Sequence, residues 1–219
     1  MKHLPPLLLS LVLTANFAAA QSPGNTRIQG DVTGLAGNNL SIKSVSGEML
    51  VLKLADPVRI LAASQTDFAF IQPNAYIAVT AVPQTDGSLL ASRINVFPES
   101  MRGVGEGHRP MAALPGNTMT NATVSNVAAA DRPAGNTMTN ATVTRIAGAS
   151  QVGKLTVQYP GGEKQVTVPP GLAVTLLEAG ERALLLPGVH VTVIATRADD
   201  GTMTAASITA GKNGTVPPP

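Results

Sequence analysis

The chain contains no cysteine and no tryptophan. Without thiols it forms no disulfide and offers no thiolate to a metal. Aromatic residues make up only 3% and charged residues 13%, against 44% hydrophobic. There is ample apolar material for a core, but little with which to stack bases or grip a polyanion. Histidine is scarce, with three in the whole chain. Beyond the first twenty residues no stretch is apolar for the roughly 20 residues that a membrane-spanning helix needs. What is abundant is small aliphatic residues, Thr and Gly, a mixture that favours short strands and tight turns over long helices.

Residues 1–20 read as a cleavable export signal. Lys2 and His3 form a basic start, residues 4–13 are mostly apolar, and Ala18-Ala19-Ala20 supplies the small residues that a signal peptidase requires. A membrane anchor is the competing reading, and the apolar run is too short for it. Cleavage after Ala20 removes Lys2, taking Lys plus Arg from 15 to 14 against 13 acidic residues, a net of +1. Near-neutral charge argues against a nucleic-acid partner. His3 is lost as well, leaving His108 and His190.

The mature chain carries an internal repeat at an offset of 114 to 115 residues. Asp86-Gly87-Ser88 aligns with Asp200-Gly201-Thr202, Pro73 with Pro187, Leu52 and Leu54 with Val166 and Val168, and Leu40-Ser41-Ile42 with Leu155-Thr156-Val157. Each copy predicts five strands. In the first they span residues 27–33, 40–45, 49–54, 75–82 and 88–97. In the second they span 140–146, 154–159, 164–168, 189–196 and 202–209. A long connection at 55–74 carries a predicted helical turn near 62–70, and its counterpart at 176–186 is helical in propensity. Five strands with an insertion after the third predict a small OB-like barrel, whose closure hides strand edges. The expected fold is therefore all-β, with two tandem five-stranded OB-like barrels at 27–98 and 140–211.

Residues 99–139 read as a Gly/Pro-rich linker. Within it Gly-Asn-Thr-Met-Thr-Asn-Ala-Thr-Val occurs at 116–124 and recurs identically at 135–143. The second instance leads into the first strand of the second module. The first reads as redundant linker, the alternative being an added edge strand. Residues 212–219 read as a disordered tail.

Several features then combine: the export signal, Gly30-Asp31-Val32, the Asp-Gly hairpin before Ala91-Ser92-Arg93-Ile94, and the run from Arg102 to Pro110 followed by the Gly-Asn-Thr-Met segment. Together they resemble a bacterial periplasmic family defined by a repeated OB-like domain of unknown function. The resemblance spans nearly all of the mature chain. It implies fold and compartment and supplies no activity, and the duplicated nine-residue segment departs from the family pattern.

Catalytic machinery is hard to assemble from these residues. There is no Gly-x-Ser-x-Gly elbow, His190 falls in a predicted strand, and Asp199-Asp200 caps a turn. No catalytic residue, metal ligand set or cofactor is expected. Candidate ligand-binding residues are Arg102, Glu106, His108 and Arg109. Two arginines can grip an anion, although pairing within the protein is the favoured role. Glu106 and His108 share one side of an extended chain, but a transition metal wants three or four ligands. The expected function is an exported, non-enzymatic binding or scaffolding protein of the Gram-negative envelope, its partner an unidentified envelope protein or small ligand. The alternative is a periplasmic accessory protein holding a metal ion or small anion at the linker.

Overall fold

A computed structural model describes residues 25–111, 114–129 and 152–218. The export signal expected at 1–20, the second nine-residue copy at 135–143 and the strand expected at 140–146 lie outside the described residues.

The described chain is all-β. Its strands are β1 (Asn25–Ala36), β2 (Asn39–Ser44), β3 (Met49–Thr66), β4 (Tyr76–Pro83), β5 (Leu89–Val96), β6 (Gly107–Pro110), β7 (Thr118–Ala129), β8 (Gly153–Tyr159), β9 (Gly162–Val168), β10 (Val174–Ala179), β11 (His190–Arg197) and β12 (Met203–Gly211). Single 3-10 turns occur at Phe68–Phe70, Glu99–Met101 and Arg182–Leu184.

Alternation of apolar residues builds the first core. Ile28 and Val32 on β1, Leu40 and Ile42 on β2, and Leu52 and Leu54 on β3 face one interior. Val193 and Ala195 on β11 and Met203, Ala205, Ile208 and Ala210 on β12 complete it. The inward parity of β12 changes after Ala205. A bulge there leaves Ala206 unpaired, so Ala205 and Ile208 both point inward. The pairings β1–β2, β2–β3, β3–β12, β12–β11 and β11–β1 return on themselves and close a five-stranded barrel. Gly30 sits where β2 crosses β1 closely. A Cβ at that position would lie 2.2 Å from the Lys43 carbonyl oxygen, so a side chain has no room.

The other strands enclose a second core of Ile77, Val79, Ile94, Ala122, Val124, Leu155, Val157, Val166 and Val174, among others. Here β4 pairs β5 and β7, β7 pairs β8, and β8 pairs β9. β9 meets β5 through Leu89↔Val166 and Leu90↔Thr167, and β10 continues alongside β5.

Pairing does not follow the expected chain order. β4 and β5 join β7, β9 and β10, whereas β11 and β12 join β1 and β3. Residues 27–98 and 140–211 thus each feed both cores, in place of one self-contained barrel apiece. β3 is the bridge, an 18-residue strand whose last residues pair antiparallel with β10. The two cores share one register. Ile208↔Ile60 and Ile94↔Val174 differ by 114 residues at each position, and Ala63 faces Leu177, also 114 apart.

Three further expectations change. The connection at 55–74 is strand as far as Thr66, and its helical turn shrinks to Phe68–Phe70. The helix-prone stretch at 176–186 is β10 followed by the turn Arg182–Leu184. Leu61, Ala62 and Ala63 are held by β12 on one side and β10 on the other, and this two-sided pairing overrides single-residue propensity. Pro57 is tolerated because β3 leaves β12 between Leu54 and Arg59, where no ladder N–H is needed. The linker expected at 99–139 contains β6 and β7, so its first nine-residue copy runs into a core strand. The tail expected to be disordered is anchored. The Lys212 N–H donates to the Ala63 carbonyl at 2.7 Å and Thr192 Oγ1 donates to the Pro218 carbonyl at 2.9 Å. Pro217 is buried.

Candidate functional site

The segment between β5 and β7 brings the predicted residues over one end of the second core. It leaves β5 through the turn Glu99–Met101 and returns as β6 beside β7. β4 contributes Tyr76 to the floor, β7 contributes Thr120, Asn121 and Thr123, and β8 contributes Tyr159.

Arg102 is bound on several sides. It forms a bidentate pair with Glu99, at 2.5 Å to Oε1 and 2.7 Å to Oε2. It also donates to the Asn74 carbonyl at 2.7 Å and to Thr123 Oγ1 at 3.0 Å. Its guanidinium carbon lies 5.9 Å from the centre of the Tyr76 ring, within cation–π range. The hydrogen bonds from Arg102 hold the Glu99 carboxyl below its ordinary pKa.

The backbone between Arg102 and β6 is pinned from below. The Val104 carbonyl accepts from the buried Tyr76 hydroxyl at 3.0 Å and from Asn121 Nδ2 at 3.3 Å. Arg109 donates to the Gly105 carbonyl at 2.8 Å, where Gly105 adopts φ +61°. Burial raises the Tyr76 pKa, and the Glu106 charge adds to that, while Arg109 and Arg102 oppose it. Asn121 Oδ1 is buried without a protein partner.

His108 faces elsewhere. Its Nδ1 pairs with Thr120 Oγ1 at 2.8 Å, and its ring stacks on Tyr159 at 6.2 Å between centroids. Burial, and then the nearby Lys164, lower its pKa. Glu106 is exposed. The four predicted residues thus share one segment but do not converge on a point. Arg102 and Arg109 direct their donors at the protein, and among the described residues no three His, Asp or Glu side chains gather as a metal site. Clefts of about 430 and 550 Å³ lie apart from them. The first is lined by Asp86, Lys154 and Lys164 among others, and the second by Asn38, Asp56 and Arg182 among others.

A second polar constellation occupies the matching place in the first barrel. His190 on β11 faces Asp31 on β1, and their Nδ1 and Oδ1 atoms pair. The corresponding facing pair in the second core is Tyr76 and Thr123. One location therefore carries an acid–imidazole pair in the closed barrel and a tyrosine capped by an arginine beside the second core. The sequence reading singled out Arg102 but not Tyr76, Thr123 or Asn121. The available signal was that Tyr76 is one of only two tyrosines.

No helix among the described residues is long and apolar enough to cross a membrane. Compared with models of known families, with characterised proteins and with solved structures, the chain matches none.

Proposed function

We propose that the chain is an exported, non-enzymatic binding or scaffolding protein of the Gram-negative cell envelope, built from two OB-like barrels related by an internal repeat. The strand circuit β1–β2–β3–β12–β11, with a short turn just before β11, supports the OB-like reading. The shared 114-residue register of the two ladders supports the repeat. The N-terminal residue pattern supports export.

The observation that carries the binding role is an apolar patch on the β2–β3 hairpin. Val45, Met49 and Val51 are 82%, 61% and 64% exposed. Met49 and Val51 are two apart on one strand and so share a face. Single exposed aliphatics are ordinary, but a cluster on one hairpin marks a contact surface for an apolar patch on another protein. Replacing all three with Ser in the intact chain tests this. The expected result is an unchanged melting temperature and at least a tenfold loss of the envelope protein that wild type recovers from a membrane-free extract. Equal recovery by wild type and variant refutes the reading.

The second reading places a metal ion or small anion at residues 102–110. It is favoured by the unpartnered Asn121 Oδ1 beneath that segment and the exposed Glu106 carboxylate beside it. Titration with zinc and with inorganic phosphate checks it. A melting temperature that moves with neither removes it.

A further inference from the structure

We infer that the groove bounded by β4, β6 and β8 is a strand-binding site with two occupants encoded in the chain: residues 118–129, which fill it as β7, and residues 137–148, which exchange with them. β7 pairs β4 from Tyr76↔Thr123 to Ala81↔Thr118, β6 from Gly107↔Asn121 to Pro110↔Thr118, and β8 from Thr123↔Gln158 onward. The side chains that seat it belong to the duplicated stretch. Thr118, Thr120, Asn121, Ala122 and Val124 are buried. Thr120 meets His108, Asn121 meets the Val104 carbonyl, and Thr123 meets Arg102. All of them recur as Thr137, Thr139, Asn140, Ala141, Val143 and Thr142.

Identity stops where burial stops. After Val124 come Ser125 and Asn126, both exposed, and their counterparts Thr144 and Arg145 differ. Val127, which packs against the second core, corresponds to Ile146, so apolar character returns where the core does. The groove makes no contact that could distinguish residues 118–124 from residues 137–143, which are identical.

Chain connectivity permits both arrangements. With β7 in place, seven residues (111–117) lead in from β6 and 23 (130–152) lead out to β8. With residues 137–148 in place, 26 (111–136) lead in and four (149–152) lead out. A four-residue hairpin loop is common. Because closure cost grows only as the logarithm of length, the two loop pairs differ by about two-fold in closure probability. Loop entropy therefore does not choose between the copies, and the choice falls to the few non-identical residues after Val124. Exchange slides the chain through the groove by 19 residues, from 116 to 135, while the core, β6 and the Arg102 contacts keep their chemistry.

The test uses the full chain, whose lack of cysteine makes engineered pairs unambiguous. Gln158 faces Thr123. Mild oxidation of Q158C/T123C and of Q158C/T142C is expected to give an intramolecular disulfide in both, seen as monomer on a non-reducing gel and located by peptide mapping. Failure of Q158C/T142C to close overturns the inference. So does closure only as a covalent dimer, which would make residues 137–148 the ligand of another molecule. In parallel, A122D and A141D are each expected to keep the melting temperature within a few degrees of wild type, and the double variant to lose more than 10 °C. A122D falling as far as the double variant also overturns the inference, since the groove would then depend on one copy alone.

Discussion

At the scale of single residues, Tyr76 is the pivot of the segment over the second core. Its ring is buried and its hydroxyl is the closer of two donors to the Val104 carbonyl. Tyr76→Phe removes that donor and leaves Asn121 to satisfy the carbonyl alone. The expected cost is about 1 kcal/mol, a lowering of a few degrees in a thermal melt. His108 adds a pH dependence with a definite sign. Its folded pKa lies below the ordinary value near 6.5, because burial and Lys164 both disfavour the imidazolium. The unfolded chain then binds more protons in that window. The stability contributed by neutral His108 is fully present above about pH 6.5 and is lost as pH falls through the window. Melting temperatures at pH 7.5 and 5.5 should therefore differ more for wild type than for His108→Asn. An equal difference would remove His108 as the cause.

At the scale of elements, the long strand β3 joins the two cores, and Ala63 marks where it meets β10. Ala63 is fully buried. Placing a carboxylate there, as in Ala63→Asp, strands a charge between two ladders and should cost about 3 kcal/mol or more. Because β3 and β10 tie both cores together, denaturant unfolding followed by tyrosine fluorescence and by circular dichroism should shift together. A shift in one probe alone would show independent cores. The short elements were well marked in the residues. Asp86-Gly87 and Asp200-Gly201 reverse the chain as their composition predicts, with glycine φ values of +82° and +83° and each Asp side chain accepting from the residue two positions on. The repeat matched Leu52 and Leu54 to Val166 and Val168, and all four are buried. What alternation cannot reveal is a strand's neighbour, because period-two patterning specifies a buried face and is silent on pairing. Residues 62–70 and 176–186 were misleading for that reason: their helical propensity was local, and the two-sided pairing that overrode it was not. The site shows the same division. Arg102 stands out in a Gly-rich stretch, but its acceptors on Asn74 and Thr123 depend on β4 lying beside β7.

At the scale of the whole molecule, the strands of the closed barrel come from opposite ends of the described chain: β1 to β3 from residues 25–66, β11 and β12 from 190–211. A fragment spanning residues 27–98, though it looks like one complete repeat, lacks both strands that pair with β1 and β3 to finish that barrel. It should be unfolded or dimeric by sedimentation. A fragment spanning residues 67–179 holds every strand of the second core but lacks β3, the partner of β10, and should melt cooperatively as a monomer at a lower temperature than the intact chain. A folded monomer from the first fragment would contradict the pairing pattern.

The exchange of β11 and β12 into the first barrel also sets a clock on synthesis. A chain emerging from the ribosome in order can make β1, β2 and β3 early, yet those strands keep an open edge until Gly211 has been added. The second core, whose strands end at Ala179, is complete some thirty residues sooner. The inner half of the protein therefore finishes first, and its N-terminal strands wait for the last part of the described chain before they have anything to close against.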